Sequence, residues 1–367
     1  MISLAALGND LYSGKTSLPF IAKRRIWYTI AIVVIALSAV LVVKPGLNPG
    51  IDFKGGSEVT VTGVADPSEG PGNDVLADKD LSSGSSVTTM GASSVRIQTN
   101  ELDKAQLDEL ASSLATAYGV DSGSVSATTI GPTWSADVTS KAARGLVIFF
   151  LLVGALIWIY FRTWKMAAAA LLALSHDIIV TIGIYAASGF EVTPATIIGV
   201  LTILGYSLYD TVVVFDKIRE NTSHYEAQTR STYAELANLA VNQTFIRSIN
   251  TSVVGVLPVA SLLVVGAFIL GAGTLRDIAL TLFIGMIAGT LSSIFLATPL
   301  LVDLRSREKS IVEQAKRVEA ARAQRVTQAG DDDEALAAIV AAPAASPLVP
   351  GHHLGVSAQP KRKNRRS

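Results

Sequence analysis

The stretch GYSLYDTVVVFDKIREN, residues 205–221, carries a carboxylate, Asp210, inside the apolar run 192–215. An ionised Asp at the centre of a membrane helix costs roughly 2.5–3.5 kcal/mol, so such a residue faces protein or a water-lined path rather than lipid. Residues three and four apart are helix neighbours, which puts Tyr206, Ser207 and Asp210 on one face. A carboxylate flanked by hydroxyls suits a stop on a proton path. A second acid, Asp177, with His176 beside it, lies about 16 Å into the third apolar run (166–190), at 1.5 Å rise per residue. Arg247 and Asn250, in FIRSINTS (245–252), open the fifth run at the depth of Asp210. Desolvation favours a neutral carboxyl group and a nearby guanidinium favours the charged one, so an acid between the two changes protonation when the Arg moves. The same residues also allow a fixed Asp210–Arg247 ion pair, with Asp177 as a helix-packing hydrogen bonder.

The elements that position these groups are membrane helices. The chain has 367 residues, half of them hydrophobic and only 16% charged, with a mean hydropathy of +0.44. A soluble domain carries about 25% charged residues, and about 20 apolar residues cross the hydrocarbon core as a helix. Six runs qualify: 26–43, 145–161, 166–190, 192–215, 251–275 and 278–302. The first follows Lys23, Arg24 and Arg25, is longer than a signal-peptide core and lacks an Ala-x-Ala exit, so it reads as a retained span. The fold class expected is an α-helical polytopic membrane protein of six transmembrane helices, with a small α+β domain between spans one and two. The division expected is 1–25 N-terminal segment, 26–43 first span, 44–144 α+β domain, 145–302 spans two to six and 303–367 tail. Short-loop Lys and Arg set orientation. Lys15, Lys23, Arg24 and Arg25, then Arg162 and Lys165, then Lys217, Arg219, Arg230 and Arg247 mark one side, against Glu191, Arg276 and Asp277 on the other. Both termini are therefore expected in the cytoplasm, with 44–144 outside. Cysteine is absent, which excludes disulfides and thiolate metal sites.

Within 44–144, SEVTVTG (57–63) and SVRIQT (94–99) alternate apolar and polar residues as strands do, and SVSATTI (124–130) offers a third strand. ELDKAQLDELASSLATAY (101–118) places Leu107, Leu110, Leu114 and Tyr118 on one helix face, with Asn100 as the expected N-cap and Asp103 near the positive helix start. The Gly-, Ser- and Asp-rich stretch 64–94 reads as a flexible insertion. GIDFKGGS (50–57) opens the domain; Gly50, Gly55 and Gly56 allow close backbone approach around Asp52, and the plain reading is a tight turn before a strand. After the last span, 303–327 is charged and helix-prone, and the tail beyond about residue 330 reads as disordered. Its basic end, KRKNRRS, suits either solubility or an anionic surface, lipid or ribosomal RNA, to which each basic residue contributes roughly 1 kcal/mol.

GIDFKGGS, GPT (131–133), SHD (175–177), GYSLYDTVVVFDKIREN and NQTFIRSINTS (242–252) occur in this order across six spans. Together they resemble the SecD/SecF family of bacterial protein-export membrane subunits, within the resistance–nodulation–division superfamily. The resemblance covers roughly residues 20–305. It implies a subunit that pairs with SecD, joins the SecYEG channel, and uses the proton motive force to draw a translocating preprotein across after the push by SecA. It also implies that Asp210 is the proton-path residue and that Arg247 is the arginine of the NQTxxRS motif. No nucleophile–base constellation, phosphate loop or metal-ligand spacing is visible, so no enzyme activity, cofactor or metal is expected. Two other functions fit the residues: half of a proton-driven small-molecule efflux transporter, and a membrane scaffold without transduction.

Overall fold

The structure is a computed structural model describing residues 4–266 and 273–329. The expectations for the tail beyond residue 330 lie outside the described residues. In chain order, a short helix α1 (Leu4–Ser13) precedes α2 (Arg24–Leu41), which ends in a π segment at Val42–Gly46. Then come β1 (Asn48–Pro49), the one-turn helix α3 (Ile51–Lys54), β2 (Gly56–Thr62), α4 (Gly70–Asp78), β3 (Ser86–Met90), β4 (Ser94–Thr99), α5 (Lys104–Tyr118) and β5 (Val125–Ile130). The helical part continues with α6 (Pro132–Phe161), α7 (Trp164–Ser188), the strand β6 (Glu191–Val192), α8 (Pro194–Asn221) and α9 (Tyr233–Val264). It closes with α10 (Gly273–Ser292), a π segment at Ser293–Ala297, α11 (Thr298–Arg305) and α12 (Lys309–Ala329).

Six helical segments among the described residues are long and apolar enough to cross a membrane: Arg24–Gly46, Pro132–Phe161, Trp164–Ser188, Pro194–Ala227, Tyr233–Val264 and Gly273–Arg305. The protein is thus a mostly helical, multi-pass membrane protein with a small sheet-containing domain. Large apolar side chains such as Ile32, Val40, Leu151, Ile159 and Val254 lie exposed on these helices. That is the pattern of surfaces solvated by hydrocarbon. Helices approach closely where side chains are small. Gly183 of α7 lies against Ser38 of α2, and a Cβ on Gly199 of α8 would come within 2.8 Å of Thr281 Cβ on α10. Gly205, by contrast, faces open space.

The chain divides into two compact units. The larger holds residues 23–215 and 247–304. It contains the α+β domain, whose antiparallel sheet runs β3-β4-β2-β5, with Val59 opposite Ile97 and Val61 opposite Val95. Every second residue of β2 and β4 points to one side, so Val59, Val61, Val95 and Ile97 build a common core with Leu107, Leu110 and Leu114 of α5. Full burial of each such side chain contributes roughly 1.5–3 kcal/mol. The helix start differs from expectation. Asp103, not Asn100, is the N-cap: its carboxylate accepts from the Gln106 amide at 2.8 Å, and Gln106 Oε1 accepts from the Asp103 amide at 3.1 Å. That capping box satisfies two backbone donors at once, which the amide of Asn100 cannot do from three residues upstream. The stretch 64–94 is not a flexible insertion either. It holds α4 and the edge strand β3, and Val64 and Leu76 join the core. Tyr118 ties it down, its hydroxyl donating to the Ser68 carbonyl at 2.9 Å and accepting from the Gly72 amide at 3.0 Å.

The smaller unit holds the described residues 4–22, 216–246 and 305–329. Asn242 and Asn238 accept from the amides of Leu18 (2.7 Å) and Ile21 (3.1 Å), pinning the segment after α1. Arg322 of α12 grips Glu235 with two nitrogens at 2.9 and 2.7 Å. Arg305 lies over the buried Tyr233 ring, 4.9 Å from its centroid. A second capping box, Thr232 with Glu235, starts α9 well before the apolar run that marks the fifth span in the sequence. Arg247 therefore lies in the interior of a long helix and does not open one.

Candidate functional site

Asp210 sits in α8 with its side chain almost wholly buried. Its Oδ1 accepts from Ser248 Oγ of α9 at 2.7 Å, and its Oδ2 accepts from Ser293 Oγ at 2.7 Å. Both serines are buried, at 1% and 0% exposure. Ser293 opens the π segment that interrupts the sixth span. Such segments widen a helix locally and are frequent at functional positions. No cation lies within ion-pair distance of Asp210 among the described residues. Three helices thus converge on one carboxylate and offer it only neutral hydroxyls, each able to donate to the charged form or accept from the protonated one.

Asp177 of α7, 1% exposed, forms the adjoining layer. Its Oδ2 accepts from Ser207 Oγ at 2.6 Å, and its Oδ1 lies 3.3 Å from His176 Nδ1. His176 in turn lines an apolar pocket walled by Trp27, Ala288 and Phe295. Ser207 stands three residues before Asp210 on α8, so one helix presents a hydroxyl donor to Asp177 and, one turn on, the Asp210 carboxylate as acceptor to Ser248 and Ser293. Space for Ser207 comes from Gly289 of α10, where a Cβ would stand 2.7 Å from Ser207 Cβ. Tyr206 turns elsewhere and donates to the Thr251 carbonyl at 3.0 Å.

Arg247 and Asn250 do not join this cluster; both are exposed, and no ion pair links Arg247 to Asp210. The reason is helical rotation. Ser248 occupies the inward position on α9, and the roughly 100° per residue of an α-helix turns Arg247 outward. The sequence did carry a signal for the missed partners. Ser248 and Ser252 on α9, and Gly285, Gly289 and Ser293 on the sixth span, recur every fourth residue as stripes of small residues. Ser252 and Thr290 join these stripes with a 2.6 Å hydroxyl contact.

A second polar cluster surrounds the glycine motif. β1 pairs in parallel with β6, matching Asn48 with Glu191, and the Gly50 amide donates to the Val192 carbonyl at 2.9 Å. A Cβ on Gly50 would lie 2.6 Å from Glu191 Oε1 and 3.2 Å from the Val192 carbonyl oxygen, so a side chain there would displace the Glu191 carboxylate. The motif is not a bare turn: α3 intervenes, and Gly55 and Gly56 follow it with φ of +79° and +138°. Both values lie in the region that favours glycine. A Cβ on Gly56 would also come 2.5 Å from the Thr99 carbonyl oxygen. Asp52 lies in this cluster. Burial pushes its carboxyl above the usual value, the negative charges of Glu58 and Glu191 add to the rise, and Arg96 opposes it.

Residues 110–307 match the family of protein export membrane protein SecD/SecF, C-terminal, and residues 40–63 match the SecD/SecF GG motif. Among curated relatives, the chain is 45% identical over 333 residues to protein translocase subunit SecF of Streptomyces coelicolor, covering 88% of this chain and 86% of that one. It is 43% identical over 322 residues to protein translocase subunit SecF of Mycobacterium tuberculosis, covering 84% and 72%. A crystal structure of SecDF, a translocon-associated membrane protein from Thermus thermophilus, superposes with a TM-score of 0.70 at 29% identity. That match covers 80% of this chain but 39% of the SecDF chain. With its six spans, its glycine motif and these matches, the chain belongs to the SecD/SecF family of protein-export membrane proteins.

Proposed function

We propose that this chain is an accessory subunit of the Sec protein translocase that assembles with SecD, and that Asp210 binds and releases a proton to promote export. The observation that carries the reading is Asp210 itself: a buried acid inside a membrane helix, held by Ser248 and Ser293 and without a paired cation among the described residues. A fixed structural ion pair would need Arg247 at that carboxylate, and Arg247 is exposed on another face of α9. A carboxylate held only by hydroxyls exchanges one proton without breaking a salt bridge, since the serines reverse their donor and acceptor roles.

The pairing with SecD is supported by relatives in which the two names are joined in one chain, such as protein translocase subunit SecDF. The exposed guanidinium of Arg247 and the amide of Asn250 give α9 a polar patch that a partner subunit would cover, since an Arg facing hydrocarbon costs roughly 2.5–3.5 kcal/mol. Lys and Arg in the short connections support an orientation with both termini in the cytoplasm and the α+β domain on the far side of the inner membrane. There the domain meets a preprotein emerging from the SecYEG channel after SecA has driven its entry. The energy suffices: one charge crossing 100 mV releases about 2.3 kcal/mol, which shifts a two-state equilibrium about fifty-fold.

The test is Asp210→Asn expressed at the normal level. The variant is expected to insert and to copurify with SecD while the proton-dependent part of preprotein export is lost. Export at the unmutated rate would overturn the reading.

A further inference from the structure

Arg96 of β4 stands where the α+β domain meets the helices that hold Asp210. Its Nη1 lies 2.8 Å from Glu191 Oε2, and its Nε lies 3.6 Å from Glu58 Oε2. Gln98, two residues along the strand, donates to Glu191 Oε1 at 2.6 Å and to Glu58 Oε2 at 3.0 Å. Both oxygens of Glu191 are therefore held by side chains of one strand of the domain. Asp52 also faces this group, so three carboxylates share one guanidinium. The side chains of Arg96 and Glu191 are 14% and 12% exposed, which makes the pair far better shielded than an ordinary surface bridge.

The location gives the contact its meaning. Glu191 lies three residues before Pro194, the first residue of α8. Arg96 Nη2 and Met90 Cε also press on Gly273, the first residue of α10, where a Cβ would overlap them. At 1.5 Å rise, Asp210 lies about 24 Å along α8 from Pro194, and Ser293 about 30 Å along the sixth span from Gly273. One arginine of the domain is thus ion-paired to the connection leading into α8, which carries Asp210 at mid-helix, and lies against the first residue of α10, which leads into Ser293.

We propose that Arg96, through Glu191, is the positioning residue that transmits movement of α8 and α10 to the α+β domain. The proposal rests on the proton reading of Asp210. When the Asp210–Ser293 contact changes, the relative position of α8 and α10 changes. β4, ion-paired by Arg96 to the connection that leads into α8 and packed against the first residue of α10, then moves with them. The β1–β6 pairing through Gly50 supplies a second attachment to the same connection.

The test uses the full chain with its partner subunits in energised membrane vesicles and compares Arg96→Gln, Glu191→Gln, Arg96→Lys and Asp210→Asn. For Arg96→Gln and Glu191→Gln, amide exchange at Gly50 is expected to speed roughly tenfold, as loss of a charge-assisted bond implies. Proton uptake stays at the unmutated level while proton-dependent export is lost. Arg96→Lys, which keeps the charge, restores export. Unchanged exchange at Gly50, unchanged export, or joint loss of proton uptake and export would each overturn the proposal. Normal export by Asp210→Asn would instead refute the proton reading, and the exchange result at Gly50 would still decide whether Arg96 holds the junction.

Discussion

Gly289→Ala probes the packing that lets Ser207 reach Asp177. The added Cβ would stand 2.7 Å from Ser207 Cβ, 2.8 Å from its Oγ and 3.3 Å from its Cα. Carbon atoms rest at about 3.5–4.0 Å, so the overlap is about 0.8 Å. The nearest atom is a rigid Cβ, and rotating the hydroxyl away does not relieve it. Either α10 backs off from α8, or Ser207 shifts and loses its 2.6 Å bond to Asp177. Overpacking of this kind costs about 1–3 kcal/mol, and a hydrogen bond to a charged group contributes about 1.5–3 kcal/mol. Gly289→Ala is thus expected to destabilise the detergent-solubilised protein by about 1–3 kcal/mol if only packing yields, and by more if the bond breaks. Thermal unfolding followed by tryptophan fluorescence measures this. The decisive comparison is a double-mutant cycle. Ser207→Gly removes the Cβ and should recover the steric part, whereas Ser207→Ala retains it and should not. A Gly289→Ala variant as stable as the parent, or equal rescue by both second substitutions, would refute the reasoning.

Asp52 gives a pH prediction. Its carboxyl is raised in the folded domain, chiefly by burial, so folding favours its protonated form. That favourable effect is complete below the ordinary aspartate value of 3.8 and is lost as pH rises through the folded value. Asp52→Asn should therefore be more stable than the parent at pH 7, with the difference vanishing in acid. Amide exchange of residues 51–62 across pH measures it, and a less stable variant at pH 7 would contradict it. Tyr118→Phe removes both bonds to the Ser68–Gly72 turn, each worth about 0.5–1.5 kcal/mol. Limited proteolysis should then cut within 64–81 faster than in the parent, and unchanged cleavage would argue against a clamped segment.

How much of this was legible in the sequence depends on what each feature needed. The six spans and the α5 face follow from local periodicity, which one segment carries by itself. The stretch 64–94 misled because its Gly, Ser and Asp content resembles a loop. Its order comes from Leu76, Val64 and the Tyr118 hydroxyl, all contacts across the fold. Asp210 stood out as an acid in an apolar run, but its partners did not. Hydroxyls are common in spans one to six, and which of them turns inward depends on helix rotation. Arg247 shows the limit most clearly: it shares the depth of Asp210, yet one residue's rotation hands the contact to Ser248. Arg96 and Glu191 were hidden for another reason, since nearly a hundred residues separate them in the chain.

The most direct measurement follows protons rather than preproteins. Vesicles containing this chain and its partner subunits are given a pH gradient and a membrane potential, and proton entry is read from an internal pH dye. Asp210→Asn should abolish the subunit-dependent proton entry, and Asp210→Glu, which keeps an acid between Ser248 and Ser293, should retain part of it. Undiminished entry in the amide variant would mean that this carboxylate carries no proton and that another group does.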